Sequence, residues 1–510
     1  MKKESEKASR RCRRRGVRQS ATAKQAGQPH PPPPQLTPDQ TQATDRIRAW
    51  FAQAERAAVL GGYAGTGKTF TVTELLKGYL GTRPLVVTAP THKAVHILRG
   101  MGLPETRPAL QYATIHSVLG LQPVNDVDTG EQRLRQTGPV NLPQHALLVV
   151  DECSMVGREL YAHILRAATW ADAQVLFVGD PAQLPPVKEQ VSPAFAQTGN
   201  QVTLTLIVRQ ARHHPLLALA TQLRETLDGA PFPRVMTHVV AGLGIAVVEP
   251  AEFEAALLAG FASPLYAQDP DYCRVLTWTN ARSHYYNTRI RRHLLGPAAD
   301  RYQILPGERL VTCGPLLAGP VPLPASTLVT VRECRLAVDE FGVEVYRVHL
   351  VNVPGEQLAP SPAGWLTYQR VLSELVKTAQ ALQQEKVLAG ARYSKQQDNR
   401  RKAAWRAFFN FKERYADVRS PHAGTIHRSQ GSTYDVAYLD LTDIGRNTKW
   451  YEIAKLLYVG LTRPRHTVLA TGALPERLYG PHPEPPSARG HAALEPLSPV
   501  ITDVTPEILP

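Results

Sequence analysis

One glycine-rich segment carries a lysine and a hydroxyl side chain at a spacing suited to holding phosphate. Residues 62–69 satisfy the pattern G-x-x-x-x-G-K-[ST], between an apolar strand at 57–60 and a segment of helical pattern at 71–80. Glycines let backbone N–H groups close around phosphate oxygens, the lysine contacts the β- and γ-phosphates, and the threonine binds Mg²⁺. The pattern predicts a nucleotide-binding P-loop formed by Gly62, Ala64, Gly65, Thr66, Gly67, Lys68, Thr69 and Phe70.

A second segment delivers two adjacent carboxylates from the end of a strand. Leu147–Val150 is an apolar run of four residues, and Asp151 and Glu152 follow it directly. Behind a P-loop this is typical of a Walker B segment, in which one acid joins the Mg²⁺ shell and the other deprotonates the attacking water. We therefore predict that Asp151, with Thr69, binds Mg²⁺ and that Glu152 is the catalytic base. A strand ending in two acids is common by itself, so this prediction depends on the P-loop upstream.

The composition places these segments in a chain with ample core and no membrane-spanning stretch. The 510 residues correspond to roughly three or four domains, and 43% of them are hydrophobic and 20% charged. No apolar run approaches the roughly 18 residues that a membrane-spanning helix needs. The five cysteines lie far apart without a C-x-x-C pair, which indicates neither a zinc site nor a disulfide framework. We therefore expect a soluble protein of the reducing cytoplasm.

The formal net charge of +14 is concentrated at the N-terminus. Residues 1–24 hold ten Lys or Arg and two Glu, a balance of +8 that leaves +6 for the remainder. Such a segment cannot bury enough apolar surface to fold alone, and a proline run at Pro31–Pro34 follows it. This predicts a disordered basic and Pro-rich arm over residues 1–35, which would tether phosphate backbones or simply keep the chain in solution. A second Pro-rich stretch predicts a tail over residues 477–510.

Further short motifs follow at intervals along the chain. The apolar strand at 175–178 runs into G-D-P-A-Q-L-P-P-V at 179–187. Later segments are V-R-Q at 208–210, T-I-H-R-S-Q-G-S at 425–432 and Y-V-G-L-T-R-P-R at 458–465. With the P-loop and the Walker B pair, these motifs in this order resemble the superfamily 1 helicases, specifically the superfamily 1B branch that is RecD-like and phage Dda-like. The resemblance covers about residues 36–472.

The resemblance implies an ATP hydrolase with a defined set of phosphate contacts. Gln183 would sense the γ-phosphate and report it to DNA, and Arg209 and Arg463 would stabilise the charge of the transferring phosphoryl group. Gln40 would read the adenine edge, and Gly431 would complete the nucleotide-binding set. Outside their motifs such residues are ordinary surface side chains. The implied catalytic residues are Lys68, Thr69, Asp151, Glu152, Gln183, Arg209 and Arg463.

The fold implied is α/β, with two RecA-like P-loop domains in tandem that sandwich ATP. A strand and polar loop at Val275–Asn280 mark the second domain. Inserts complete the architecture: a β-hairpin, an SH3-like β-barrel and a helical tower. We expect a first ATPase domain over 36–230 with the hairpin insert at about 113–145, a second domain over 231–325 and 421–476, and the barrel and tower over 326–420.

In this family, single-stranded DNA lies across the top of both domains. Short polar side chains at strand ends suit phosphates and sugars rather than base edges. Most polar loop residues are merely solvated, so each assignment rests on its motif. The predicted DNA-binding residues are Thr91, His92, Thr114, His116, Asn280 and His427.

Two inserts decorate the second domain. Alternating apolar residues at 328–351 with a turn at 340–342 predict a β-hairpin of the barrel. Apolar residues recur at helical spacing from Val371 to Leu382, and a basic, aromatic segment follows at 403–409. Its aromatic side chains, Trp405, Phe408 and Phe409, would stack on bases or form the core of the tower, and we favour the core.

The first-domain insert departs from the family. Dda-like helicases place a hairpin there that splits the duplex, often with an aromatic residue, but residues 118–135 contain no Phe, Tyr or Trp. Turn chemistry at Asp128–Gly130 still predicts a hairpin. We expect a steric wedge, in which the fork is met by Arg133 or Arg135, by an aliphatic residue such as Leu119 or Leu121, or by steric exclusion alone.

The sequence therefore predicts an ATP- and Mg²⁺-dependent DNA helicase that moves 5′ to 3′, a polarity implied by the resemblance alone. Two alternatives stay open: an RNA helicase of the same superfamily, because backbone contacts do not exclude 2′-hydroxyls, and an ATP switch or loading factor that binds nucleic acid without unwinding. The expected partners are single-stranded and fork DNA, with single-stranded DNA-binding or replication proteins as further candidates. We expect a monomer that does not contact membranes.

Overall fold

The computed structural model describes residues 35–480 with short interruptions. The interruptions are residues 54, 80–81, 101, 104–109, 187–188, 209–213 and 317–322. Three sequence predictions fall outside the described residues: the basic arm before residue 35, Arg209, and the tail beyond residue 480. Within the described part, every helix is too short or too polar to cross a membrane.

The secondary-structure elements are numbered in chain order. The strands are β1 (Ala57–Gly62), β2 (Leu85–Ala89), β3 (Leu110–Thr114), β4 (Leu121–Asp126), β5 (Glu131–Gln136), β6 (Leu147–Val150), β7 (Gln174–Gly179), β8 (Asn200–Leu204), β9 (His238–Val240), β10 (Leu243–Val248), β11 (Cys273–Thr277), β12 (Arg309–Thr312), β13 (Leu328–Val338), β14 (Glu344–Leu350), β15 (Glu356–Pro360), β16 (Val418–Arg419), β17 (Ala423–Thr425), β18 (Tyr434–Asp440) and β19 (Pro464–Thr471). The α-helices are α1 (Pro38–Phe51), α2 (Lys68–Lys77), α3 (His92–Arg99), α4 (Ile115–Val118), α5 (Arg158–Trp170), α6 (Pro193–Gln197), α7 (Pro215–Leu227), α8 (Pro250–Phe261), α9 (Pro264–Gln268), α10 (Asn280–Leu295), α11 (Ala298–Arg301), α12 (Trp365–Ala389), α13 (Lys395–Glu413), α14 (Leu441–Gly445) and α15 (Trp450–Thr462). Short 3₁₀ helices lie at Cys153–Met155, Gly390–Arg392, Ile426–Ser429 and Glu476–Tyr479.

The first sheet has the strand order β3-β2-β6-β7-β1-β8, and all of its neighbouring strands are parallel. Successive residues of a strand point to opposite faces, so Val59 packs in the apolar cluster that contains α5, and Leu60 in the cluster that contains α1 and α2. Helices therefore cover both faces of the sheet. Because the strands are parallel, their carboxyl ends share one edge, and the P-loop and the Walker B pair both leave from it.

The second sheet has the order β17-β11-β18-β19-β10-β9 and is parallel except for the edge strand β9. Helix α15 lies in an apolar cluster with Ala182 and Leu184 from the loop after β7. Leu216 and Leu223 of α7 belong to the same cluster, so this helix packs in the core of the second sheet, although it precedes the predicted boundary at residue 230. The predicted α/β class, with two parallel sheets of the RecA-like kind in tandem, is confirmed.

Two further elements follow the second sheet's first helices. The strands β15-β14-β13-β12-β16 form an antiparallel five-stranded sheet, in which β13 and β14 pair over the residues where the sequence predicts a hairpin. Helices α12 and α13 pack together, and we refer to this pair as the tower. Trp405 and Phe409 are buried with Ala379 in the tower's core, which confirms the core interpretation of these aromatic residues.

Strands β4 and β5 pair antiparallel as a hairpin with a turn at residues 127–130. Two of the predicted fork contacts are wrong: Leu119 and Leu121 are only 2% and 5% exposed, because they pack in the core of the first sheet. Arg133 and Arg135 are exposed on β5, paired with Glu131 and Asp126 respectively.

The turn of this hairpin lies against the tower. The guanidinium of Arg401 donates to the carbonyl of Val127 at 2.7 Å and to Asp128 Oδ1 at 2.6 Å. Gly130 has a positive φ of 76°, and a Cβ there would collide with the Trp405 ring. The tip of the hairpin is therefore held against the tower, although Asp128 and Thr129 stay exposed to solvent.

Candidate functional site

The P-loop wraps the start of α2. Gly65 and Gly67 both have φ 77°, a left-handed conformation that favours glycine. Gln40 Nε2 donates to the carbonyl of Thr66 at 2.9 Å, and a Cβ on Gly67 would lie 2.5 Å from that nitrogen. Helix α2 begins at Lys68, three residues earlier than the sequence pattern indicates, so the free N–H groups of its first turn belong to the loop itself.

Lys68 lies inside this loop. Its Nζ donates to the carbonyls of Gly62 and Tyr63 at 2.5 and 3.2 Å. A Cβ on Gly62 would lie 2.6 Å from the lysine Cγ, so the glycine leaves the space that the side chain uses. The loop therefore combines a cation with the first-turn amides of α2, and this donor set fits the phosphates of a nucleotide.

The Walker B pair occupies a strained turn after β6. Glu152 has φ 52°, which a residue with a side chain adopts at a cost of about 1 kcal/mol, and such outliers gather at functional sites. Asp151 N donates to the carbonyl of Thr88, which ties the turn to β2. Desolvation, and then the neighbouring Glu152 carboxylate, raise the pKa of Asp151 to about 7. Two neighbouring carboxylates repel each other, and a bound cation relieves this repulsion. The exposed side chain of Thr69 supplies a further oxygen, so these residues fit Mg²⁺.

Two residues predicted to contact phosphate, Gln183 and Arg463, present polar atoms without partners among the described residues. Gln183 is 6% exposed, and its Oε1 is buried and accepts no hydrogen bond there. Arg463, at the end of α15, has Nη1 3.5 Å from the carbonyl of Ser432, while its Nε is buried and unpaired within the same residues. A buried polar atom without a partner costs free energy, so both side chains are suited to a ligand.

Two residues that the sequence analysis did not select connect the sheets. Tyr458 of α15 donates its hydroxyl hydrogen to Asp180 Oδ2 at 2.6 Å and accepts from the backbone N–H of Ala64 in the P-loop at 2.9 Å. Nearby, Gln430 Nε2 donates to the carbonyl of Leu184 at 3.0 Å. The sequence signal for Tyr458 was its hydroxyl group within the otherwise apolar run from Leu456 to Val459. The nucleotide side of the first sheet thus contacts α15 directly.

Threonines cap the helices that follow three of the strands, and we call Thr91, Thr114 and Thr279 the threonine-capped edge. Thr91 Oγ1 accepts from Ala94 N, Thr114 Oγ1 from Ser117 N and Thr279 Oγ1 from Arg282 N, each at 3.2 Å. Capping uses the oxygen as an acceptor and leaves the hydroxyl hydrogen as a donor. Thr279 gives that hydrogen to Asp443, so only Thr91 and Thr114 keep it for another acceptor among the described contacts.

The other predicted DNA-binding residues lie beside these caps. His92 and Asn280 are the exposed first residues of α3 and α10. His116 lies two residues after Thr114, and His427 lies in the 3₁₀ helix after β17. Burial lowers the pKa of both imidazoles, and the Glu452 charge partly offsets this lowering at His427. Both are therefore neutral near pH 7, when each can donate or accept one hydrogen bond.

A basic cavity of about 370 Å³ adjoins the capped edge of the second sheet. Its lining includes Lys93, Arg274, Asn280, Arg301, Thr425 and Arg428. Lys93 belongs to the first sheet's helix α3 and forms an ion pair of 2.7 Å with Asp271, which precedes β11. The cavity is therefore bordered by both sheets, and cations predominate on its rim.

Two families match parts of the sequence. Residues 35–232 match the AAA domain family, and residues 421–471 match the UvrD-like helicase C-terminal domain. The chain is 25% identical over 459 residues to the ATP-dependent DNA helicase dda of Enterobacteria phage T4, covering 85% of this chain and 98% of that protein. It is 35% identical over 188 residues to the ATP-dependent RecD2 DNA helicase of Deinococcus radiodurans, covering 36% of this chain and 23% of that protein. These matches support the resemblance of this chain to the RecD-like and Dda-like superfamily 1B helicases.

One solved structure similar to this chain is the Pif1 helicase from Bacteroides in complex with ADP-AlF3 and ssDNA. It is 17% identical, with a TM-score of 0.45, covering 88% of this chain and 95% of that one.

The structure shows the neighbours of two predicted nucleotide-binding residues, Gln40 and Gly431, and both nucleotide contacts stay predictions. The amide nitrogen of Gln40 is on the P-loop backbone, where it supports the loop, so its contact with adenine stays a prediction. Gly431 has φ 69°, and a Cβ on it would lie 3.5 Å from Ala94 Cβ and 3.8 Å from Thr91 Oγ1. Gly431 therefore lies against the start of α3 at the threonine-capped edge.

Proposed function

We propose that this protein is an ATP-dependent DNA helicase that moves 5′ to 3′ along single-stranded DNA. One observation carries the proposal: helix α15 of the second sheet contacts the P-loop through Tyr458, while the basic cavity at the second sheet is also bordered by Lys93 of the first sheet's helix α3. Hydrolysis at one side of the sheets can then change the spacing of contacts at the other side. The relative in phage T4 is named as an ATP-dependent DNA helicase, which supports the same activity here.

The residues on the nucleotide side have different roles. Lys68 and the N–H groups of the P-loop bind the phosphates, and Asp151 and Thr69 hold Mg²⁺, which when bound neutralises phosphate charge. Glu152, in its strained turn, orients and deprotonates the water. Gln183 and Arg463 supply the unpaired buried donors and acceptors described above, and Arg209 is proposed for the same role from its motif alone.

The other side of the sheets would hold the DNA backbone. The Thr91 and Thr114 hydroxyl hydrogens, the first-turn amides of α3, and Asn280 are donors suited to phosphate and sugar oxygens. His116 and His427 contribute neutral imidazoles. Lys93 and Arg428 add positive charge along the rim of the cavity, which favours any polyanion. Small movements of the sheets would then shift the backbone stepwise.

The hairpin β4–β5 is proposed as the wedge that separates the duplex. Its turn is held by the tower, so the exposed strands carry the surface that a fork would meet. Arg133 and Arg135 are the candidates that remain of the four predicted contacts. A flat guanidinium can stack on a base pair, as aromatic side chains do.

The decisive experiment is unwinding of DNA and RNA duplexes that carry either a 5′ or a 3′ single-stranded tail, with ATP and Mg²⁺. Separation of only the 5′-tailed DNA duplex is the expected result. Separation of RNA duplexes would identify an RNA helicase, and stimulated ATPase without any strand separation would identify a switch or loading factor. Sedimentation of the protein with and without DNA tests the proposed monomer, and pull-down with single-stranded DNA-binding proteins tests the proposed partners.

A further inference from the structure

A carboxylate in the cleft is shared by a lysine and a tyrosine from different sheets. Asp180, at the end of β7, is 1% exposed. Its Oδ1 accepts from Ala182 N at 2.9 Å, and its Oδ2 accepts from the Tyr458 hydroxyl at 2.6 Å. The same Oδ2 lies 3.7 Å from Lys68 Nζ. The buried carboxylate therefore has one neutral donor and one cation competing for a single oxygen.

The geometry of the tyrosine hydroxyl is fully determined by its two neighbours. A hydroxyl has one hydrogen, which goes to Asp180, and its oxygen accepts from Ala64 N. Tyr458 is 2% exposed, and burial, followed by the Asp180 charge, raises its pKa well above the usual value. The hydroxyl therefore remains a donor throughout the physiological range of pH.

The lysine has one hydrogen left over. An ammonium has three donors, and the carbonyls of Gly62 and Tyr63 take two of them. The third is open to Asp180 or to a phosphate of the nucleotide. Since a buried carboxylate must be satisfied, the hydrogen bond from Tyr458 reduces the need of Asp180 for the ammonium.

We propose that Tyr458 is a positioning residue that keeps Asp180 from capturing Lys68, so that contact between the sheets releases the lysine for the phosphates. The proposal rests on the function proposed above and deepens it. Tyr458 belongs to the second sheet's helix α15, whereas Ala64, Lys68 and Asp180 belong to the first sheet. Separation of the sheets breaks both hydrogen bonds of the hydroxyl at once, and Lys68 then turns to Asp180.

The test uses Tyr458→Phe, which keeps the ring and removes the hydroxyl. We expect the kcat of DNA-stimulated ATP hydrolysis to fall roughly 10- to 100-fold, the range that corresponds to a lost hydrogen bond with a charged group. The double variant Tyr458→Phe with Asp180→Asn should recover at least about fivefold of that loss, because the neutral amide does not hold the ammonium. A purely structural tyrosine predicts the opposite, that the second change adds to the damage.

The matched control is Tyr286→Phe. The Tyr286 hydroxyl donates to Asp440 at 2.9 Å, so it makes the same kind of buried bond, but within the second sheet's own elements. We expect its kcat to stay within about twofold of wild type. Thermal unfolding of all variants checks that the fold is retained.

A second readout needs no hydrolysis. The rate at which an amine-reactive reagent labels Lys68, followed by mass spectrometry without nucleotide, should fall about threefold in Tyr458→Phe, because an amine held by the Asp180 carboxylate is less accessible to the reagent. It should recover in the double variant. Unchanged labelling and kcat in Tyr458→Phe, or a double variant slower than the single one, would overturn the inference. If wild type itself lacks ATPase while labelling changes as expected, the proposed function fails and the contact between lysine, carboxylate and tyrosine stands.

Discussion

Arg401 and Asp128 form an ion pair of 2.6 Å that joins the tower to the turn of the hairpin. The Arg401 side chain is fully buried and also donates to Gln383 Oε1 at 2.8 Å and to Asp398 Oδ1 at 2.9 Å. A buried guanidinium with this many acceptors holds each of them in place, so the hairpin and the tower behave as one unit in this region.

Replacing Arg401 with Met should therefore destabilise the protein and impair unwinding. The change leaves the Val127 carbonyl and the Gln383 amide oxygen without this donor, whereas Asp128, whose side chain is 55% exposed, is solvated by water. We expect a loss of roughly 1 to 3 kcal/mol in the free energy of unfolding. Denaturant unfolding measures this loss. Unwinding of a 5′-tailed duplex should fall, while ATPase stimulated by single strands changes little. Arg400→Met, at the exposed neighbouring position, is the control and should alter neither.

The wedge hypothesis predicts a second separation of activities. Shortening residues 126–130 would test the wedge directly, but it would also remove the contact with the tower. Arg133→Ala is the cleaner change, because this exposed side chain pairs only with Glu131 among the described contacts. We expect several-fold slower unwinding with unchanged translocation on single strands. Glu131→Ala serves as control, and equal losses in unwinding and translocation would contradict the wedge.

The assignment of the catalytic carboxylate predicts different defects in two nucleotide-site variants. Lys68→Ala should abolish turnover because it removes the cation of the P-loop. Glu152→Gln should still bind ATP but hydrolyse it roughly 10²- to 10⁴-fold more slowly, because the amide cannot accept the proton of the water. Nucleotide binding by fluorescence and single-turnover hydrolysis separate the two effects. Near-normal hydrolysis by Glu152→Gln would reject its role as the base.

A buried histidine predicts how stability depends on pH. Burial, followed by the charge of Arg274, lowers the pKa of His422 to about 3, and its Nδ1 lies 2.8 Å from the Tyr266 hydroxyl. The unfolded chain binds this proton below about pH 6.5, whereas the folded protein does not until about pH 3. Neutral His422 therefore makes its full contribution to the free energy of unfolding above about pH 6.5. This contribution is lost as the pH falls towards about 3, by up to about 1.4 kcal/mol per pH unit. His422→Asn should flatten this slope, and His238→Asn, at an exposed position, should not.

The basic arm predicts a salt effect. If residues 1–24 tether phosphates through their balance of +8, deletion of residues 1–30 should weaken DNA binding at low salt and flatten the plot of log affinity against log salt. ATPase at saturating DNA should barely change, because that segment precedes all the site motifs. An unchanged slope would show that the arm does not contact DNA.

Much of the nucleotide site could be predicted from sequence because its geometry is local. The P-loop spacing places Lys68 and Thr69 at the start of a helix, and strand β6 carries Asp151 and Glu152 to the edge where parallel strands end. The tower core was predictable for a similar reason, since aromatic residues at helical spacing usually pack together. The wedge was only half predictable: turn residues indicated the hairpin, but the burial of Leu119 and Leu121 depends on the sheet beneath them.

What the sequence by itself determined is therefore the chemistry that each segment can perform, because that chemistry follows from residue types at fixed short spacings. Only the tertiary structure decided which segments meet. Tyr458 and Asp180 are 278 positions apart, and Arg401 and Asp128 are 273 apart. No periodicity records such distances, because these contacts form only when whole sheets and helices pack. The residues that couple the two sheets, and those that hold the hairpin, follow from that packing.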